Sequence, residues 1–85
     1  MNTTDIHRDI RAFLVEKFLF GRAEELRDGD PLQGNVIDST GALELAVFLQ
    51  EHFAITVEDD EVVPENFNSV NNVVTYVARK LGSQA

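Results

Sequence analysis

Residues 34–53 read GNVIDSTGALELAVFLQEHF and contain the clearest helical pattern in the chain. At 100° per residue, five apolar side chains of this stretch cluster within about 60° of one direction. They are Ala42, Leu45, Ala46, Leu49 and Phe53. The pattern predicts a helix from Ser39 to His52 or Phe53 that buries this face.

The start of this helix carries a short polar motif. Asp38 or Ser39 is suited to the N-cap, because a side-chain oxygen there accepts a hydrogen bond from a free backbone N–H. If Asp38 is the cap, the Ser39 hydroxyl faces solvent in the first turn, where phosphate is electrostatically favoured. Gly41 leaves the approach open. An ordinary helix cap and a modification site are both consistent with these residues.

The opposite face of the same helix holds Thr40, Glu44, Val47 and Glu51, all within about 40° of the direction opposite the apolar face. Leu43 and Phe48 lie on the flanks. This face is either an ordinary solvated surface or a docking surface for a protein with basic side chains.

Two further helices and one short helix follow from the same rules. Apolar spacing predicts a first helix over 4–18, capped by Thr3 or Thr4 and followed by Gly21. Pro64 begins a short helix that runs to Phe67. The valine-rich segment 69–81 fails to alternate, so it predicts a helix, with Gly82 as its stop.

The rest of the chain consists of loops. Residues 21–38 form a long connection with turn residues and four apolar side chains that pin it to the core, namely Leu26, Leu32, Val36 and Ile37. The large residues Phe13, Phe18, Leu45, Phe48 and Phe53 suggest a filled core. The predicted fold class is all-α: a bundle of three longer helices and one short helix, joined through one long loop.

Composition supports one small domain spanning residues 1–85. The chain is 44% apolar and 26% charged, which is typical of a globular protein. It has no cysteine, no apolar run long enough to cross a membrane and no signal-peptide pattern at its start, so we expect a cytoplasmic protein.

Charge is distributed unevenly. The net charge is −8, and residues 28–78 contain ten acidic residues and no lysine or arginine. Such a segment repels nucleic acid and anionic lipid and attracts basic protein surfaces, although acids also simply favour solubility. We therefore expect neither nucleic acid nor membrane among the partners.

The inventory of reactive side chains argues against an enzyme. His7 and His52 are the only histidines, too few for a zinc site. Ser39 and His52 lie about 20 Å apart along one helix, so they cannot form a nucleophile–base pair. Asp28-Gly29-Asp30 begins like a calcium loop, but the later ligand positions do not fit. We expect no catalytic residue and no bound metal.

Taken together, residues 30–78 resemble the acyl carrier and peptidyl carrier protein family. The resemblance rests on Asp38-Ser39, the Leu43-Glu44-Leu45 spacing, Phe53, Ile55-x-Val57 with its acids, and the short helix begun by Pro64. It implies a four-helix bundle of acyl-carrier type. It also implies a 4′-phosphopantetheine arm on Ser39, next to the motif acid Asp38, and an imported thiol that holds the cargo as a thioester.

The resemblance also implies partners. They are a phosphopantetheinyl transferase, a cargo-loading ligase or acyltransferase, and downstream synthase or modifying enzymes that visit a monomeric carrier. The docking face would be Thr40, Glu44, Val47 and Glu51.

Thr40 replaces the Leu or Met that commonly follows the serine, which favours a stand-alone carrier of a specialised pathway, such as polyketide or nonribosomal peptide biosynthesis, over a fatty-acid carrier. The cargo would be a small acyl, aminoacyl or modified malonyl group. Two alternatives lack a prosthetic group: an acidic helical adaptor that docks basic partners, and a small mimic of nucleic acid, whose regular acid spacing the chain does not show.

Overall fold

The computed structural model describes residues 2–32, 34 and 36–84, and in this part of the chain it is all-helical. The four α-helices are α1 (Thr3–Phe18), α2 (Ser39–Phe53), α3 (Pro64–Phe67) and α4 (Val70–Gln84). Two short 3₁₀ turns, Ala23–Glu25 and Asp59–Glu61, interrupt the connections. The predicted all-α bundle of three longer helices and one short helix is confirmed.

Helix α1 begins one residue earlier than predicted, and its cap is not Thr3 or Thr4. The Asn2 side chain accepts a hydrogen bond from the Asp5 N–H at 2.9 Å, as an N-cap residue does. The helix ends as expected near Gly21, which has a φ of 87° and donates its N–H to the Val15 carbonyl at 3.0 Å.

Helix α4 corrects the prediction at both ends. Ser69 lies before the helix and caps it, accepting the Asn72 N–H on its hydroxyl at 3.2 Å. Gly82 is not the stop, because the helix continues to Gln84. Gly82 lacks the positive φ of a C-terminal cap, so its small helix-propensity penalty alone does not end the helix.

Helix α4 is the centre of the bundle and packs against α1, α2 and α3. The buried core takes apolar side chains from every helix and both connections, among them Ile10, Leu14, Leu32, Leu45, Leu49, Ile55, Phe67, Val73 and Val77. Of the aromatic residues expected in the core, Phe53 is buried, whereas Phe13, Phe18 and Phe48 are only half-buried. These three rings pack against the core from its edge, where Phe13 contacts both Phe18 and Phe48.

The connection between α1 and α2 is held by one acid. Asp28 Oδ1 accepts a hydrogen bond from Arg11 Nη1 at 2.6 Å, and Asp28 Oδ2 lies 2.7 Å from His7 Nε2. Its backbone carbonyl accepts the Asn71 N–H at 3.1 Å. Leu26 and Leu32 are buried beneath the same segment. The loop is therefore tied to α1 and to the start of α4, in agreement with its predicted anchoring.

The connection between α2 and α3 is organised around Glu61. Its Oε1 accepts hydrogen bonds from the Glu58 N–H at 2.9 Å, the Lys80 ammonium at 3.1 Å and the Tyr76 hydroxyl at 3.1 Å. Burial, and then Glu61, raise the pKa of Tyr76, so its hydroxyl remains a donor. These contacts fasten the acidic segment to α4.

None of the helices in the described ranges combines the length and the hydropathy needed to cross a membrane.

Candidate functional site

The candidate site lies at the N-terminus of α2. Asp38 is the N-cap: its Oδ1 accepts the Gly41 N–H at 2.8 Å, and its carbonyl accepts the Ala42 N–H at 2.9 Å. Ser39 is consequently the first residue of the helix, and its side chain is exposed. Its hydroxyl makes no hydrogen bond within residues 2–32, 34 and 36–84. Of the two predicted caps, the structure thus selects Asp38, which leaves the Ser39 hydroxyl available.

Close packing behind the helix fixes this arrangement. Gly41 is buried, and a Cβ atom added to it would lie 2.9 Å from Ile37 Cβ and 3.1 Å from Phe18 Cε1. Ile37 is itself buried, and its N–H bonds the Leu32 carbonyl at 3.0 Å. The absence of a side chain at Gly41 therefore lets the end of the loop and the end of α1 pack directly against the first turn of α2.

The surroundings of Ser39 can accommodate an anionic group. The N–H groups of Ser39 and Thr40 donate to no acceptor in the described chain, as is usual in the first turn of a helix. Together with the aligned peptide dipoles they place partial positive charge at this end of α2. The Asp38 carboxylate is engaged with the Gly41 N–H. An open hollow of about 280 Å³, lined by residues that include Val36, Asp38 and Thr40, adjoins the site.

The predicted docking face is exposed as expected. The side chains of Thr40, Glu44, Val47 and Glu51 all face solvent along α2. Leu43 and Val47 are 59% and 49% exposed, which is high for large apolar residues. Glu44 Oε2 lies 3.9 Å from Lys17 Nζ of α1, so one cation already approaches this face.

Asp28 and Glu61, two of the ten acids in residues 28–78, form short ion pairs that tie the connections to the helices. Burial would raise the pKa of Asp28, but the hydrogen bonds from His7 and Arg11 together hold it below its ordinary value. The Glu58 backbone N–H, and then Lys80, lower the pKa of Glu61. These two carboxylates are therefore held within the fold by short ion pairs, whereas Glu51 of α2 pairs with none of the residues that the structure describes.

The two histidines lie in different places and each pairs with one acid. His7 pairs with Asp28, and His52 Nε2 lies 3.0 Å from Asp9 Oδ2. The hydrogen bond from His52 is the main cause that lowers the pKa of Asp9. No group of three potential metal ligands occurs in the part of the chain that the structure describes.

One surface feature was missed by the sequence interpretation. The rings of Phe13 and Phe48 stack with centroids 4.1 Å apart, and Phe48 stacks on His52 at 4.9 Å. The helical spacing placed Phe48 on the flank of α2, but no local pattern shows that it meets a residue of α1. The result is an aromatic surface between the two helices, adjoining the predicted docking face.

Comparison with known proteins identifies curated relatives. Carrier proteins from two strains of Streptococcus suis, named D-alanyl carrier protein, are each 33% identical over 64 residues, covering 75% of this chain and 81% of the relative. A D-alanyl carrier protein of Streptococcus mutans is 31% identical over 70 residues, covering 82% of this chain and 87% of the relative. No protein-family model matches the chain.

Proposed function

Because this chain belongs to the acyl carrier and peptidyl carrier protein family, we propose that residues 1–85 form a stand-alone carrier domain that bears 4′-phosphopantetheine on Ser39. The observation that carries the proposal is the Ser39 hydroxyl, which is exposed in the first turn of α2 directly after the Asp38 cap and bonds to none of the residues that the structure describes. A hydroxyl engaged within the fold would be a poor acceptor for a transferase.

The residues present fit this group. Its phosphate would lie at the N-terminus of α2, beside the positive end of the helix dipole and the N–H groups of Ser39 and Thr40, which donate to none of the described residues. The bound arm would supply a thiol that holds the cargo as a thioester. The chain has no cysteine and so has no thiol of its own that could compete for the cargo. The role of Asp38 is to cap the helix and hold Ser39 at its first position.

For the cargo, we propose an aminoacyl group, with D-alanine as the first candidate. This follows the printed names of the relatives, which are D-alanyl carrier proteins. An amino acid is among the cargoes that the residue after the serine, Thr40, favours over a long fatty acyl chain. These names favour an aminoacyl carrier over a polyketide or other natural-product carrier, so a short acyl or modified malonyl cargo is the second choice.

Partner enzymes would dock on the exposed face of α2. Glu44 and Glu51 would attract Arg and Lys side chains, Val47 would add apolar contact, and Thr40 would lie nearest to the modified serine. Brief encounters steered by charge suit a carrier that must release each partner.

The partners are a phosphopantetheinyl transferase, a loading ligase or acyltransferase and the enzymes that consume the cargo. We assign the chain no catalytic step and place it in the cytoplasm as a monomer.

The proposal is tested by incubating the purified chain with coenzyme A and a broad-specificity phosphopantetheinyl transferase, followed by intact mass measurement. Wild type gains the mass of one arm, and Ser39→Ala gains none. Thr3→Ala is the matched control, because Thr3 is an exposed hydroxyl residue at the first position of α1. An unmodified wild type, or an equal mass gain in Ser39→Ala, contradicts the proposal. The acidic adaptor, which the comparisons do not favour, would then be the remaining alternative.

A further inference from the structure

Two shallow hollows lie side by side on the surface between α1 and α2. They have volumes of about 450 and 470 Å³ and share Phe13, Lys17 and Phe48. The first extends to Ala12 and His52, and the second extends to Leu43 and Val47. We call this surface the α1–α2 seam and define it by these seven residues.

The seam contains large apolar side chains that are not buried in the core. Leu43 and Val47 are two of the three large hydrophobic side chains that are exposed in the described chain. Beside them, the stacked rings of Phe13 and Phe48 are half-buried, with centroids 4.1 Å apart. Scattered exposed apolar residues are ordinary, but adjoining ones at a concave surface mark an interaction site.

The rim of the seam has an excess of negative charge. Asp9, Glu16, Glu44 and Glu51 line the two hollows, against the single cation Lys17 and the partner of Asp9, His52. Lys17 lies 3.9 Å from Glu44, so it offsets that carboxylate. Glu16 and Glu51 have no ion-pair partner among the residues that the structure describes. An occupant must therefore combine an apolar centre with positive charge around it.

We propose that the α1–α2 seam receives one large apolar side chain of a partner enzyme, flanked on that enzyme by Arg or Lys. The inference rests on the proposed carrier function and extends the docking surface from the exposed face of α2 onto α1. Such a contact follows the usual arrangement of an interface, with an apolar anchor at the centre and a polar rim around it. A second copy of the chain would bring a rim of the same sign against this one, which the repulsion between carboxylates opposes.

The seam can be blocked without removing its aromatic rings. Ala12 is exposed in the middle of α1, so Ala12→Arg would place a long cationic side chain over the first hollow while Phe13 and Phe48 remain. Thr75→Arg is the matched control. Thr75 is also exposed in the interior of a helix, but it lies on α4 beside Glu65 and Tyr76.

The test is an NMR titration of the isotope-labelled, arm-bearing chain with short helical peptides. The probe peptide carries one Trp between two Arg residues. One comparison peptide has Ala for Trp, and another has Glu for both Arg. We expect the Trp–Arg peptide to shift the resonances of Phe13, Phe48 and Val47, and each comparison peptide to bind at least about tenfold more weakly. Ala12→Arg should lower the affinity for the Trp–Arg peptide by about tenfold, and Thr75→Arg should leave that affinity unchanged.

Three results would overturn the inference: shifts that do not depend on Trp, shifts outside the seam, or no binding at all. Displacement of the seam resonances by the arm alone, measured by comparing the chain before and after modification, would assign the seam to the arm instead. The mass gain at Ser39 is measured on the same preparation. Failure of the carrier function is therefore distinguished from failure of the docking inference.

Discussion

The Asp38 carboxylate and the Gly41 N–H are joined by a hydrogen bond of 2.8 Å that spans Ser39. This contact caps α2 one residue before the serine, so the helix begins at Ser39. It satisfies a backbone donor that would otherwise lack a partner, and it leaves the Ser39 hydroxyl facing solvent. The same two residues thus close the helix end and expose the side chain that the proposed function needs.

Removal of the cap should cost stability without removing Ser39, the proposed attachment residue. Asp38→Ala is expected to lower the free energy of unfolding by about 1 kcal/mol, the usual effect of losing an N-cap acceptor. Asp38→Asn should lose much less, because asparagine also caps helices well. Urea denaturation of the two variants checks this, and equal losses in both would show that the charge, rather than the cap, is what matters.

A side chain at Gly41 should disturb the packing behind Ser39. Gly41→Ala brings a Cβ to 2.9 Å from Ile37 Cβ, and we expect overpacking to destabilise the chain by about 1–3 kcal/mol despite the better helix propensity of alanine.

Gly82→Ala is the matched control for this prediction. Gly82 lies in α4, and a Cβ added there would meet no described atom within 4 Å, so alanine should stabilise the fold by up to about 1 kcal/mol. Thermal unfolding of both variants measures the two changes in stability. A stabilised Gly41→Ala would mean that the close contacts relax easily.

Acid should weaken the fold through its paired carboxylates. The folded chain holds the pKa of Asp28 below its ordinary value of 3.8, so the unfolded chain binds the proton more readily. The stabilisation from this group is therefore complete above pH 3.8 and is lost as the pH falls through that value toward the lowered pKa.

Asp28→Asn should destabilise the chain at neutral pH and make the fall of stability below about pH 4 shallower. Asp30→Asn is the control, since Asp30 is exposed in the same loop and has no ion-pair partner among the described residues. Denaturation measured across the acid range reports both effects. Identical pH profiles for wild type and Asp28→Asn would show that Asp28 does not contribute to the loss of stability in acid.

Charge reversal on α2 should slow the encounter with the transferase. Glu44→Lys combined with Glu51→Lys is expected to reduce the rate of Ser39 modification by about tenfold at low salt, with a smaller difference at high salt. Glu24→Lys and Glu25→Lys in the 3₁₀ turn form the control pair on another surface. If both double variants slow the reaction equally, net charge rather than the α2 face controls the encounter.

The sequence predicts the helices well where residues close together in the chain determine them. The apolar spacing of α2 placed its bounds correctly, and the spacing of valines in α4 correctly outweighed their preference for strands. The ends of α1 and α4 were less predictable. Asn2 and Ser69 took over the caps, and Gly82 lacks the positive φ that would end α4.

The contacts that cannot be seen locally join distant residues. Asp28 meets His7, which is 21 positions away, and His52 meets Asp9, which is 43 positions away. The stacking of Phe13 on Phe48 likewise depends on how α1 and α2 pack. The candidate site could be predicted from the sequence, because Asp38 and Ser39 are adjacent and lie within one helical turn.

The proposed carrier function requires that Ser39 carries the arm and that the arm carries the cargo. The most direct measurement is the intact mass of the chain purified from its native host, as wild type and as Ser39→Ala, before and after cleavage of thioesters with hydroxylamine. We expect an added mass on wild type, a loss of the mass of one aminoacyl residue after hydroxylamine, and no added mass on Ser39→Ala. An unmodified wild type, or the same added mass on Ser39→Ala, would show that Ser39 does not carry the arm.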